Sequence, residues 1–579
     1  MTSPAEPAET VPPKTGTLQS LAVFFERRVF VMLLLGFSAG LPGLLVFDTL
    51  QLWLREAGLS LTAIGIFSLA TLATAMKFLW APVVDRTSVP FLTALLGHRR
   101  SWMLVSQAVI ILGLWLISGT NPATHLGMMA LFAVMVSFAA ANQDVVIDAW
   151  RIEAAEDAKQ GAMAAAYQWG YRVAMITAGA APLILAQSYG WSLSYAVMAA
   201  LMGVGVLAVL MAPREIQHVI RAISTAGLAA RPGLEVVEWI VRALILIAGG
   251  LLVGSGLAGS ADFLASILRG LGAGGVADTA LALWGGDAKV WVQLASVLCG
   301  FGVIVLAAWP IPGMPTRPGV YLSSALGQPL VDFFGRYGKV AGLILALICL
   351  YRVSDFVLNI NSAFYSDLGF TKLEIAEVRK VFGVIISIVG VTLGGFAVLR
   401  LGLMRALIIG AFLGPLSNLA FAWLAFQGHS IPALFIAIGV DNIAGGFAGT
   451  ALIAYMSSLT AQGFTATQYA LFSSLYALPG KIIASQSGRL VEGIAKATDQ
   501  GAIFAVFKGL MTGLTPESYA GAMSKSGVSP EALGVGYLTF YLYSTVIGIV
   551  AMVLVFMVAA RQPPKVEPEV EAEADPVPA

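Results

Sequence analysis

Long uncharged, apolar runs recur from one end of this 579-residue chain to the other, and they decide what solvent it folds in. A helix rises 1.5 Å per residue, so roughly 20 such residues cross the hydrocarbon core of a bilayer. Fourteen runs are legible, in three groups. Six come first: Val29–Leu54, Leu61–Val84, Trp102–Gly119, Leu126–Trp150, Met163–Gln187 and Trp191–Ala212. Two lie mid-chain, Trp239–Leu257 and Val290–Trp309. Six close the chain: Val340–Ser362, Val381–Leu399, Leu403–Phe426, Ile431–Leu459, Tyr469–Glu492 and Tyr537–Ala560. A backbone amide in lipid finds no water, so each run must satisfy its own N–H and C=O groups as a helix. Composition agrees: 58% of residues are hydrophobic and 11% charged, against about 25% charged in a soluble domain. The expected fold class is an all-α polytopic membrane protein.

The grouping predicts two six-helix halves, residues 29–212 and 340–560. The linker between them, 213–339, carries the extra spans 239–257 and 290–309 as an inserted hairpin. Residues 1–28 form a short N-terminal segment, and the proline-rich, acidic stretch 561–579 reads as a disordered tail. Weak internal echoes support the two halves. Gly97-His98-Arg99-Arg100 has a counterpart in Arg400-Leu401-Gly402, and Asn142-Gln143-Asp144 in Asp441-Asn442. Arg172 is matched by Lys481. Lysines and arginines concentrate in the loops on the N-terminal side of the membrane, which places both termini in the cytoplasm. The first run follows Arg27 and Arg28 and is longer than a signal-peptide core, so it reads as an uncleaved span.

Several function classes are disfavoured. A net charge of +1 gives no reason to expect nucleic acid. Cys299 and Cys349 sit singly in apolar runs, and the four histidines (His98, His125, His218, His429) are scattered. Neither a disulfide framework nor a metal site is expected, nor any other cofactor. The longest loops, 213–238, 260–289 and 493–536, hold no catalytic constellation, so an enzyme is not expected. A transporter with a small-molecule cargo, embedded in lipid and monomeric, fits better.

The ionisable residues inside the spans carry the functional signal. A charge at the bilayer centre costs roughly 2.5–3.5 kcal/mol on insertion scales, so such groups face a cavity or a partner. In the first half these are Asp48, Lys77, Asp144, Asp148 and Arg172. Asp144 and Asp148 are four apart and share one helix face. Asp144 and Arg172 fall at similar depth on antiparallel spans, which makes Arg172 a candidate partner for Asp144. In the second half Arg352, Asp355 and Asn359 recur at helical spacing, joined near mid-depth by Asp441, Asn442 and Lys481. Each cluster also has a bland reading, an ion pair or polar seam that ties helices together. Lys77, Asp85, Arg86, Arg99, Arg100 and Arg400 lie at or near the basic turns. There the functional reading is gating between the halves, and the bland one is a topology signal. Aromatics such as Trp150, Tyr167 and Tyr351 either stack on sugar rings or simply pack.

Several strings resemble the AmpG family of muropeptide permeases in the major facilitator superfamily. They are Gly36-Phe37-Ser38-Ala39-Gly40-Leu41-Pro42, Lys77-Phe78-Leu79-Trp80-Ala81-Pro82 followed by Asp85-Arg86, and Gln143-Asp144-Val145-Val146-Ile147-Asp148-Ala149-Trp150. Gly170-Tyr171-Arg172, Gly445-Gly446-Phe447 and Phe464-Thr465-Ala466-Thr467-Gln468-Tyr469-Ala470-Leu471 add to the likeness, which covers both halves. The resemblance implies a Gram-negative inner-membrane protein. It implies proton-coupled import of N-acetylglucosaminyl-1,6-anhydro-N-acetylmuramyl peptides for peptidoglycan recycling, a flux that bears on β-lactam resistance where an induction circuit exists. On that reading Gln143, Asn359 and Asn442 bind the saccharide, and Arg172, Arg352 and Lys481 neutralise peptide carboxylates. One of Asp144, Asp148, Asp355 and Asp441 carries the proton. The alternative is a transporter of the same superfamily with another small anionic or amphipathic cargo, such as a peptide, an acyl-CoA or a drug.

Overall fold

The computed structural model describes residues 23–57, 77, 80–156, 159–215, 228, 231–258, 261–285, 289–309, 316–356, 360–484, 487–501 and 503–562. Among them are twelve helices long and apolar enough to span a bilayer. Of the other two expected runs, 61–84 lies outside the described residues apart from its last turn. The run expected at Tyr469–Glu492 is a helix shifted to Thr465–Ala484 and followed by a separate amphipathic helix, Ser487–Asp499.

The first half consists of α1 (Arg27–Leu44, continued through a π turn to Glu56), α2 (His98–Ser118), α3 (Leu126–Glu153), α4 (Gln160–Tyr189), α5 (Trp191–Leu201) and α6 (Gly203–Met211). The expected single span 191–212 is therefore broken at Met202. The linker contributes α7 (Pro232–Ala258) and α8 (Lys289–Ala308), the inserted hairpin. Residues 260–289, read from sequence as a loop, contain the helices Asp262–Gly270 and Gly274–Gly285. The second half contains α9 (Ala341–Leu350), α10 (Gly383–Leu401), α11 (Leu403–Leu424), α12 (Ile431–Ser458), α13 (Thr465–Ala484) and α14 (Pro530–Arg561). Helical turns begin at Arg317, well before the expected start at Val340. Thr316 explains this: its side chain accepts the Gly319 N–H, and Pro318 follows inside the first turn. The same device starts α14 seven residues early, where Ser529 accepts the Ala532 N–H ahead of Pro530.

Lipid offers no hydrophobic force between helices, so close backbone approach does the packing. α4 lies against α1, and a Cβ on Gly170 would clash with the Leu33 carbonyl and the Phe37 N–H. The repeat seen in sequence has a backbone counterpart. Gly97 before α2 and Gly402 before α11 adopt φ +98° and +85°, a turn that a side chain would strain. The hairpin helices meet at Gly249, Gly256 and Gly300, and they rest against α13.

The halves touch through α4 against α10 and α12, and through α13 against α3 and the short helix Ala81–Arg86. Gly161 of α4 abuts Val398 and Gly395 of α10. These contacts gather at one end of the spans, the end that carries Asp85. At the opposite end of the second half, Thr371 and Glu374 form a capping box: Glu374 Oε2 accepts the Thr371 N–H at 2.7 Å and its hydroxyl at 2.9 Å. His429 Nε2 approaches the same oxygen at 3.3 Å. The Thr371 backbone bond, then the hydroxyl and His429, hold the Glu374 carboxyl below its usual range against a smaller opposing effect of burial.

Two outcomes follow from this packing. Gly170→Leu should abolish the α1–α4 contact, read as loss of the monodisperse peak in detergent. Glu374→Gln should lower the thermal midpoint at pH 7. Because a depressed carboxyl stabilises only above its ordinary value, that difference should shrink from about pH 4.3 downward.

Candidate functional site

Two charged layers occupy the seam between the halves. The first is a lock at the Asp85 end. Arg99, wholly buried, places Nη2 2.8 Å from Asp85 Oδ1 and 2.6 Å from Glu153 Oε1, while its Nε donates to Glu153 Oε2 at 3.0 Å. A single bond from Arg99 leaves the Asp85 carboxylate with an unmet need for donors. The N-terminus of α13 answers it: Asp85 accepts the N–H groups of Ala466 (3.1 Å) and Thr467 (2.8 Å) and the Thr467 hydroxyl (2.7 Å). The first N–H groups of a helix have no partner of their own and carry about half a positive charge. Asp85 of the first half thus caps a helix of the second.

Arg86 extends the lock sideways. Its Nη2 donates to the Ser324 carbonyl at 3.1 Å and to Gln328 Oε1 at 3.2 Å, and its guanidinium lies over the Phe464 ring. Arg100 is placed elsewhere, donating to the carbonyls of Val209 and Leu210 at the end of α6. Arg400 is exposed and lies over Phe396 of its own helix. The lock also includes groups the sequence did not single out. Glu153 and Arg151 sit at a helix end, where a topology signal is the default reading. Arg151 Nη1 donates to Ser457 of α12 at 2.8 Å and lies over the Tyr469 ring of α13. Thr467 stood only inside a family string. The Gln468 carboxamide joins α13 to the linker, donating to the Pro329 carbonyl and Asp332.

The second layer lies deeper. Asp148 Oδ1 is 3.3 Å from Arg151 Nη2, and its Oδ2 is 4.0 Å from Lys77 Nζ. Asp144 lies one turn away, within electrostatic reach of Lys77 and Asp148. Its Oδ1 is buried with no hydrogen-bond partner among the described residues. The expected Asp144–Arg172 pair does not form. Arg172 has Arg352 of the second half as its charged electrostatic neighbour.

In that half Arg352 Nε holds Asp355 Oδ2 at 2.6 Å, and Nη1 reaches the Tyr476 hydroxyl at 3.3 Å. Ser354 donates to the other Asp355 oxygen. Asp441 accepts a long bond from Ser417, 3.4 Å, and lies near both Asp355 and Arg352. Gln143 is fully buried within the first half and donates to Ser38 at 3.0 Å. Asn442 donates to the Ile438 carbonyl of its own helix. Trp150 and Tyr351 are buried, their polar atoms donating to the carbonyls of Pro213 and Leu407. Asn359 and the side chains of Asp48 and Lys481 lie outside the described residues.

Comparison with known proteins accords with this geometry. The family described as "Acetyl-coenzyme A transporter 1" matches residues 28–178. Among curated relatives, the putative transporter AmpG 4 of Rickettsia conorii is 27% identical over 472 residues, covering 81% of this chain and 91% of that protein. The anhydromuropeptide permease of Escherichia coli K12 is 29% identical over 477 residues, covering 82% and 76%. Among solved structures, the major facilitator superfamily proton:xylose symporter XylE is similar at a TM-score of 0.50 and 11% identity, over 94% of this chain and 96% of that one. That likeness establishes the major facilitator fold, as the resemblance of the strings implies. The expected kinship to AmpG transporters is borne out.

Removing the cap should unlatch the Asp85 end. Asp85→Ala deletes three charge-assisted bonds and should cost the closed arrangement on the order of 3 kcal/mol. Spin labels at the exposed Glu156 and Gln462 would report the separation across the seam. A distance distribution that stays unchanged would rule the cap out as a lock.

Proposed function

We propose that this chain, a multi-pass transporter with the major facilitator fold and a homologue of the AmpG permeases, imports cell-wall muropeptides across the bacterial inner membrane by proton-coupled alternating access. The observation that carries the reading is the pairing of a closed, hydrogen-bonded lock at one end of the seam with under-partnered charges deeper in it. That is what a carrier needs when access alternates about a central site. Relatives named as AmpG transporters and as an anhydromuropeptide permease, aligned over about four-fifths of the chain, support the cargo.

The locked end holds Arg86, Arg99, Arg100, Arg151 and Arg336. By the excess of basic residues it is the cytoplasmic end, with both termini on that side. The described arrangement is then closed to the cytoplasm, and cargo enters from the periplasm. Cargo carboxylates are met by Arg172, Arg352 and Lys481. Asn359 and Asn442 are the amide donors assigned to the saccharide, and Gln143 acts indirectly by setting α1 against α3.

For the proton we favour Asp144 among the four carboxylates, because one of its oxygens is buried without a donor. Asp148, Asp355 and Asp441 each already have a partner. A proton on Asp144 frees Lys77 to draw on Asp148. Asp148 then loosens its hold on Arg151, whose far arm reaches Ser457 across the seam. Protonation of one half is thereby felt at the junction with the other. Breaking the Asp85 cap in the same step opens the cytoplasmic end.

A second reading keeps the architecture and changes the cargo. The match of residues 28–178 to an acetyl-coenzyme A transporter favours an acyl-CoA, which is also anionic.

Uptake of labelled anhydromuropeptide into proteoliposomes should rise with an inward proton gradient and collapse with an ionophore. Competition by acetyl-CoA instead of muropeptide would favour the second cargo. Asp144→Asn should abolish gradient-driven accumulation and leave counterflow exchange intact. Accumulation that survives the substitution assigns the proton to another carboxylate.

A further inference from the structure

Among the described residues, Arg172 of α4 is buried without a counter-charge. Its Nε is buried, and among the described residues it makes no ion pair and no hydrogen bond. It sits one turn beyond Gln168 on α4, on the face turned toward the second half. Gln168 Nε2 and Arg352 Nη1 both converge on Gly449 of α12: a Cβ there would stand 3.5 Å from the first and 3.3 Å from the second. Gly445, one turn earlier, stands in the same relation to Arg352 Nη2, at 3.3 Å. Two glycines therefore leave room around the guanidinium of Arg352, beside the amide of Gln168.

The two arginines are not equivalent. Arg352 has Asp355 on its Nε edge and Tyr476 at Nη1, which fixes its plane. A guanidinium carries five N–H donors in a rigid fork, so donors remain after both bonds. Arg172 has no such tether. Two like charges facing each other across a seam in low dielectric repel, and each half contributes one. A structural role would have supplied Arg172 with an acid, as Arg99 and Arg151 are supplied. An arginine kept without one is arranged for an anion that comes and goes.

We propose that Arg172 and Arg352 form a carboxylate site that straddles the two halves, with Gln168 as its neutral donor. The cargo's own carboxylate is the counter-ion that allows the seam to close around it. This rests on the transport reading above and narrows it. A neutral analogue of the same size fits the space but leaves the repulsion in place, so it binds weakly and does not trigger occlusion.

The test uses the full chain in nanodiscs and two probes: an anhydromuropeptide in its acid form and the same molecule with every carboxylate converted to the amide. Wild-type protein should bind the acid at least tenfold more tightly. Arg172→Gln should erase that preference by weakening the acid and, with the repulsion relieved, tightening the amide, and Arg172→Lys should restore part of it. Arg352→Gln strands Asp355, so Arg352→Gln/Asp355→Asn serves as the second variant and should show the same loss of preference. If Arg172→Gln weakens acid and amide alike, or neither, Arg172 packs and does not bind, and the proposal fails. Wild-type binding of both muropeptides without preference would overturn the anion site and leave the cargo reading standing. Binding of neither, with Arg172-dependent binding of acetyl-CoA, would overturn the cargo reading and support the anion site.

Discussion

A buried carboxylate of one half, met by the helix terminus of the other, organises the Asp85 end of this transporter. Arg99 is shared between Asp85 and Glu153, and the rest of the Asp85 carboxylate is satisfied by the backbone N–H groups that open α13. The satisfaction exists only while the halves are together. Parting them exposes both the carboxylate and the helix terminus, so water must enter to replace the bonds. The close approach of Gly161 to α10 and the reach of Arg151 to Ser457 are placed around this junction and depend on its geometry.

Among the described residues, the second half shows no equivalent of this arrangement across the seam. Its related cluster, Asp332, Arg336 and Gln468, closes on the linker helix and on α13, all on one side. Two halves with echoing sequences thus use their basic turns differently. The turn of the first half latches to its neighbour beside Arg99, whereas Arg400 of the second is exposed and lies over Phe396 of its own helix. Arg86 is the exception that joins the linker to the first half, through the turn at Ser324 and Gln328.

What could be read from the sequence follows from which physical quantity each feature encodes. Span number and depth come from apolar length at 1.5 Å per residue, and most runs reappear as helices. The break at Met202 is marked only by Gly203 and Gly205 inside an otherwise continuous apolar run, and glycines are too common in these spans to single it out. Depth arithmetic made Arg172 a candidate partner for Asp144, but rotation about the helix axis is set by packing. The contact of Gly170 with Leu33 turns Arg172 toward Arg352 instead. Asp85 and Arg99 were legible as charges at a turn, whereas the partners of Asp85 on α13 were not, because two of them are backbone N–H groups that any residue supplies. Arg151 and Glu153 were hidden by their position, where basic and acidic residues are expected at a helix end for reasons of topology.

The burial of the Arg99 cluster bears on how the molecule responds to its medium. With Arg99 at 0% exposure and Asp85 at 1%, mobile ions cannot approach either group. Screening acts over about 8 Å of solution at physiological ionic strength and leaves such a pair almost untouched. The barrier to opening this end is therefore set by solvation and geometry. It should hold steady as the ionic strength of the medium changes, whereas contacts between exposed charges weaken with added salt.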